Sequence, residues 1–191
     1  MDELVDILDS QGNLTGKTAL KSEAHKNGWP HPTVHVWFFT SDGKVLLQQR
    51  AKNKSTFPLL WDVSVAGHVN AGEPIKEAAI REVREEIGLD ILKDDLQKIA
   101  VFRATHKHPE DIIDREFHHV FLSGLKVGLQ TLTKQESEVN ALTLMPLLRF
   151  AEETWGLANP GKYVPHGAEY YQSVVKAIKG RIEGSTEAHD A

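Results

Sequence analysis

Gly67-His68-Val69-Asn70-Ala71-Gly72-Glu73-Pro74-Ile75-Lys76-Glu77-Ala78-Ala79-Ile80-Arg81-Glu82-Val83-Arg84-Glu85-Glu86-Ile87-Gly88-Leu89 is the stretch that decides how the chain folds. Asn70 to Pro74 is a turn signal, and the helix-forming run behind it predicts a helix over about 75–87, closed by Gly88. At ~100° per residue, Ala79, Ile80, Val83 and Ile87 form one apolar stripe. Glu82, Glu85 and Glu86 fall together on a neighbouring face, because spacings of three and four set side chains next to each other. Three carboxylates in one patch repel, and Arg81, Arg84 or a bound divalent cation must offset that. Mg²⁺ fits, since it takes oxygen ligands, keeps several waters and bridges a few carboxylates to substrate phosphates. The metal would acidify a bound water, and a spare glutamate would accept the proton.

A Glu-rich helix is usually just a solvated amphipathic helix with Glu/Arg pairs. The whole pattern sets this one apart. Gly67, Glu73, Arg81, Glu82, Val83, Glu85, Glu86, Gly88 and Leu89 match G-x5-E-x7-R-E-U-x-E-E-x-G-U, with U aliphatic, at every specified position. At ordinary residue usage its fixed identities coincide by chance on the order of once in 10⁸ starting points. That pattern is the Nudix box, and the chain resembles the Nudix hydrolases over residues 67–89 and in the order of elements around them. The resemblance implies an α/β fold, a mixed curved β-sheet sandwiched between helices in a single domain. It also implies that Glu82, Glu85 and Glu86 are metal ligands, joined by the carbonyl of Gly67. Arg81 and Glu73 would steady the carboxylates. The general base varies within the family, and Glu82 is one candidate. Family substrates are diphosphates linked to another group, often nucleosidic.

Outward from the box, residues 3–8 read as a strand followed by a turn, and 18–26 as a short helix stopped by Asn27-Gly28, Pro30 and Pro32. Val34–Phe39 and Val45–Gln49 form a hairpin through Ser41-Asp42-Gly43. Further strands fit Trp61–Ala66 and about 97–104, 117–125 and 139–144, and helices fit about 146–154 and 167–182, with Asn159-Pro160-Gly161 between them. No linker or repeat divides the chain. Residues 1–183 are expected to form the domain, and 184–191, small and polar, a flexible tail.

A second resemblance lies outside the box. Lys21, His25, His31, Leu46-Leu47-Gln48-Gln49-Arg50, Lys54, Thr56-Phe57-Pro58, Trp61, Gly67-His68 and Glu116 are similar in order and spacing to isopentenyl-diphosphate isomerase, a Nudix-fold relative. It implies a second divalent-cation site from His25, His31, His68 and Glu116, with Asp114 as a further contributor. It also implies that Lys21, Arg50 and Lys54 face a diphosphate. Imidazole with a carboxylate favours Mn²⁺ or Zn²⁺ over Mg²⁺. Two departures argue against isomerase chemistry. The isomerase carries a cysteine just before the Gly-His pair, where this chain has Ala66, and its box is degraded where this one is complete.

At 191 residues, 40% hydrophobic and 26% charged, the chain suits one soluble domain. Its net charge of −5 suggests neither a nucleic-acid polymer nor a membrane surface as partner. It has no cysteine, which removes disulfides, thiolate metal sites and cysteine nucleophiles. An acidic N-terminus unlike a signal peptide and the lack of a bilayer-length apolar run lead us to expect a cytoplasmic protein. Trp29, Trp37, Phe38, Phe57, Trp61, Trp155 and Tyr163 are expected mostly in the core, and His106, His108, His118 and His119 at surface or edge positions. The expected function is Mg²⁺- or Mn²⁺-dependent hydrolysis of a nucleoside diphosphate derivative or similar small organic diphosphate. An isomerase-like enzyme and a non-catalytic diphosphate-binding module are the alternatives.

Overall fold

The computed structural model describes residues 2–109, 112–155 and 161–187. β1 (Leu4–Leu8) and β2 (Leu14–Leu20) form a separate antiparallel ribbon, followed by α1 (Lys21–Asn27). The remaining strands are β3 (His31–Phe39), β4 (Lys44–Arg50), β5 (Trp61–Asp62), β6 (Val65–His68), β7 (Gln97–Lys107), β8 (Ile113–Gly124) and β9 (Val139–Pro146). They make one mixed sheet of order β5-β4-β3-β8-β7, with β6 added on β3 and β9 on β4. Only β3 and β8 run parallel among these pairs.

The period of two along β3 builds both layers. Val34, Val36 and Phe38 pack against Ala78, Ala79, Val83 and Ile87 of α2 (Ile75–Ile87). Trp37 on the other face packs against Phe150 of α3 (Leu147–Thr154) and Tyr170 and Tyr171 of α4 (Ala168–Glu187). The sheet is therefore sandwiched between helices in a single domain, as expected. Each fully buried large side chain, Trp37, Phe38 and Phe150 among them, contributes roughly 1.5–3 kcal/mol. α2 spans the predicted residues, and Gly88 caps it at φ 66°, its N–H donating to the Arg84 carbonyl at 3.1 Å. Among the described residues, no helix is long and apolar enough to cross a membrane.

Three local expectations change. Residues 14–20 are a strand and the helix begins only at Lys21, because Leu20, Ala19 and Thr18 pair with Leu4, Val5 and Asp6 of β1. The expected strand over 61–66 is two strands: β5 pairs with β4, then β6 crosses to pair with β3. Between them Ser64 donates to the Leu46 carbonyl at 2.5 Å and accepts from the Phe38 N–H at 2.9 Å. That bridge holds β3 and β4 where their own pairing has ended, beyond Phe39 and Val45. The last helix runs through Glu187, past the expected end near residue 182. Of the residues expected in a tail, 188–191 lie outside the described residues, as do Asn159 and Pro160 of the expected turn.

Candidate active site

β6 and α2 meet at the mouth of a cavity of about 290 Å³. Glu82, Glu85 and Glu86 all line it, as does Gly67. The helix does not present them equally: Glu82 and Glu86 are buried beside the apolar stripe, whereas the Glu85 side chain is 50% exposed. A Cβ on Gly67 would overlap the Glu82 carboxyl group, so only glycine lets this carboxylate lie against the strand. Glu86 Oε2 accepts from Gln48 Nε2 and from the Ala66 N–H, both at 3.2 Å. Burial, and then the charge of Glu82, pushes the Glu86 carboxyl from an ordinary 4.5 up to about 8. Burial likewise pushes Glu82 up to about 7, although Arg81 pulls the other way.

Arg81 ties the loop to the helix. It makes a two-pronged pair with Glu73 at 2.9 Å, reaches Glu82 at 2.7 Å and Glu85 at 3.2 Å, and donates to the His68 carbonyl at 2.9 Å. Glu73 also accepts from the Asn70 N–H at 3.0 Å. Arg81 and Glu73 thus fix where Glu82 and the 67–73 loop sit.

The histidine set converges. One donor atom each from His25, His31, His68 and Glu116 lies within 4.8 Å of the others. His25 Nε2 stands 3.1 Å from His31 Nε2 and 3.3 Å from His68 Nε2. Glu116 Oε1 is 3.5–3.8 Å from the same three nitrogens. Donors about 2.0–2.1 Å from a shared ion in a tetrahedron would stand about 3.3 Å apart, so this donor set fits a divalent cation. Parallel pairing of His31 with Glu116 and antiparallel pairing of Thr33 with His68 bring three of them together, and α1 supplies His25. His31 Nδ1 donates to the Trp29 carbonyl at 2.8 Å, which turns Nε2 inward. Burial and its two histidine neighbours lower His25 to about 4. Against the burial of both groups, Glu116 raises His31, while His31 and His68 hold Glu116 well below the carboxylate range. Asp114 stands behind this set: it lies 3.7 Å from His25 Nδ1 and takes a hydrogen bond from His108 Nε2 at 2.8 Å.

Lys21, Arg50 and Lys54 line the same cavity, each already paired. Lys21 binds Glu3 at 2.6 Å, Lys54 binds Glu138, and Arg50 donates to Thr56 and lies 3.3 Å from Asp62. Glu3, Glu138 and Asp62 were missed in the sequence because no local motif marks them, and Gln48, named only within the run 46–50, was given no role. His118 corrects the surface expectation: it is 3% exposed and lines the cavity, and His106 lines it too. Phe57 also lines the cavity, Trp37, Phe38 and Tyr163 are buried, and Trp29 and Trp155 are exposed.

Comparison with known proteins identifies the family. Residues 29–166 match the family model described as the NUDIX domain. An uncharacterised Nudix hydrolase of Clostridium acetobutylicum is 30% identical, over 93% of this chain and 97% of its own. Nudix hydrolase 3 of Arabidopsis thaliana is 33% identical over 98% of this chain, which spans only 25% of that protein's length. An isopentenyl-diphosphate Delta-isomerase of Serratia proteamaculans is 34% identical over 64% of this chain and 66% of its own. A crystal structure from Deinococcus radiodurans superposes with a TM-score of 0.67 at 21% identity, covering 89% of this chain and 98% of that one, a likeness of fold.

Proposed function

The chain belongs to the Nudix family, and from that premise we propose that it is a divalent-metal-dependent hydrolase that cuts the diphosphate linkage of a small organic diphosphate. The observation that carries this reading is the pair of buried glutamates. Among the described residues Glu86 accepts hydrogen bonds from only an amide and a backbone N–H, so its carboxylate, once ionised, calls for a cation. When bound by Glu82, Glu85, Glu86 and the Gly67 carbonyl, Mg²⁺ or Mn²⁺ supplies charge neutralisation and a water acidic enough to attack phosphorus.

The chain's own residues do the rest. Arg81 and Glu73 hold the carboxylates in place, and Lys21, Arg50 and Lys54 offer positive charge to the diphosphate. A substrate phosphate would take over contacts that Glu3, Glu138 and Thr56 now make with these cations. Glu82, its carboxyl pushed up to about 7 by burial, is one candidate to accept the water's proton. The residues His25, His31, His68 and Glu116 would hold a second cation, for which their nitrogen-rich donor set favours Mn²⁺ or Zn²⁺.

The isomerase reading finds no support at Ala66. That residue faces the cavity with a methyl group where the isomerase needs a thiol, leaving no acid or base at that position. Assay of nucleoside diphosphate sugars, nucleoside di- and triphosphates, sugar diphosphates and isopentenyl diphosphate with Mg²⁺ and with Mn²⁺ tests the proposal. Metal-dependent release of monophosphate products is expected. A panel left uncut under both metals would overturn it.

A further inference from the structure

One part of the cavity wall plays no role in the scheme above. Thr33 and His35 on β3, His118 on β8, Asp62 and His166 all line the cavity as one contiguous polar group. His35 and His118 stack with centroids 4.1 Å apart, and His166 lies 5.1 Å from His35 and 5.7 Å from His118. The group adjoins the histidine–glutamate site, since Glu116 Oε2 is 3.5 Å from His118 Nδ1. Each member is braced from behind. Thr33 Oγ1 bonds His118 Nδ1 at 2.8 Å, Asp62 takes His166 Nε2 at 2.7 Å, and the Tyr170 hydroxyl bonds His35 Nδ1 at 2.7 Å.

Two ring nitrogens are left over. His118 Nε2 and His166 Nδ1 are buried and make no hydrogen bond to any described group. A buried polar atom without a partner is unfavourable, and a ligand that supplies one removes the penalty. Neutral imidazole offers one donor and one acceptor, which matches a hydroxyl group. The rest of the lining agrees, for among the described residues its only apolar side chains are Phe57, Ala66 and Val164. A hydrocarbon chain pressed against this wall would leave the two nitrogens without a partner. A cavity of about 290 Å³ also lies near the small end of ligand pockets, closer to a single sugar than to a dinucleotide.

We propose that this wall is the subsite for the group attached to the diphosphate, and that it selects a small polyhydroxylated, sugar-like group over a hydrocarbon one through His118 and His166. The inference rests on the hydrolase reading. In the reaction, water adds to one phosphorus while the bond from that phosphorus to the bridging oxygen breaks. The products are inorganic phosphate and the monophosphate of the attached group, with one proton released to the base.

Ribose 5-diphosphate and n-pentyl diphosphate share five carbons and the same reacting end, and so isolate the wall's preference. With Mg²⁺, the wild-type protein is expected to show a kcat/KM at least a hundredfold higher for the ribose compound. His118→Leu and the near-isosteric Thr33→Val are each expected to reduce that ratio at least tenfold, with Mn²⁺ stoichiometry confirming folded protein. If the leucine variant does not fold, the valine variant and the wild-type ratio still decide. Pentyl diphosphate cut as well as ribose 5-diphosphate would overturn the subsite and leave the hydrolase reading standing. A high ratio unchanged in both variants would overturn the assignment to these residues. Failure of the whole organic diphosphate panel under both metals would overturn the hydrolase reading and the subsite with it.

Discussion

Glu86→Gln separates the two roles a buried carboxylate can have. Glu86 is 4% exposed, and its pKa is about 8 in the fold against 4.5 in the unfolded chain. The folded state therefore holds the proton longer than the unfolded chain does. The resulting destabilisation is absent below about pH 4.5, grows as pH rises, and is complete above about pH 8. At about 1.4 kcal/mol per tenfold change in proton binding, that is about 5 kcal/mol at pH 9 and about 2 kcal/mol at pH 6. The substituted amide oxygen can still accept from both Ala66 and Gln48, but its NH2 group takes the place of the second carboxylate oxygen of a buried side chain, a loss of about 1–3 kcal/mol. Without metal, the variant should gain about 2–4 kcal/mol at pH 9 and about nothing at pH 6. For a domain of this size the gain at pH 9 corresponds to a Tm higher by about 4–16 °C. With saturating Mg²⁺, hydrolysis should fall about a hundredfold or more. Thermal melts in EDTA at pH 6 and pH 9, beside turnover in Mg²⁺, measure both effects. A variant that melts below wild type at both pH values would show that protein groups already satisfy the charge, and a cation would not be needed to explain it.

Other perturbations follow from particular contacts. Gly67→Ala should drive Glu82 off the strand, lowering stability by about 1–3 kcal/mol and turnover about a hundredfold, as read by thermal melts and steady-state kinetics. A Gly67→Ala protein with normal turnover would remove the close approach from the account. His31→Ala should lose about one equivalent of bound Mn²⁺ while keeping the ion of the glutamate helix, a difference visible by electron paramagnetic resonance titration. Unchanged stoichiometry would mean that the four converging side chains hold no cation. Incubation with isopentenyl diphosphate in heavy water should place no deuterium at allylic carbons, because Ala66 offers neither acid nor base; enzyme-dependent uptake would restore the isomerase reading.

The glutamate helix was legible because every signal for it is local. The apolar stripe, the turn ending in Pro74 and the left-handed Gly88 all sit within one short stretch. The first helix starts later than the sequence suggests because residues 18–20 suit either state, and distant pairing with Leu4–Asp6 decides for a strand. The break within 61–66 is not legible in the sequence because a change of pairing partner leaves no mark on an alternating pattern. The convergence of His25, His31, His68 and Glu116 came from resemblance, since the strand register that joins them is non-local. The polar wall was missed, yet it left a trace. Thr33, His35 and Trp37 alternate with Val34, Val36 and Phe38, which marks two polar residues on one inward face of β3. Glu116 and His118 repeat that spacing on β8, and pairing in parallel sets the two faces side by side.

Turnover in ¹⁸O-labelled water tests the account's central claim most directly, that the glutamate helix drives hydrolysis at phosphorus. With Mg²⁺ and the best substrate of the organic diphosphate panel, wild-type protein should place one labelled oxygen in one phosphate product. Incorporation should stop in EDTA and fall about a hundredfold or more in Glu86→Gln. Label in the organic group instead of phosphate, or incorporation that survives both EDTA and the substitution, would contradict it.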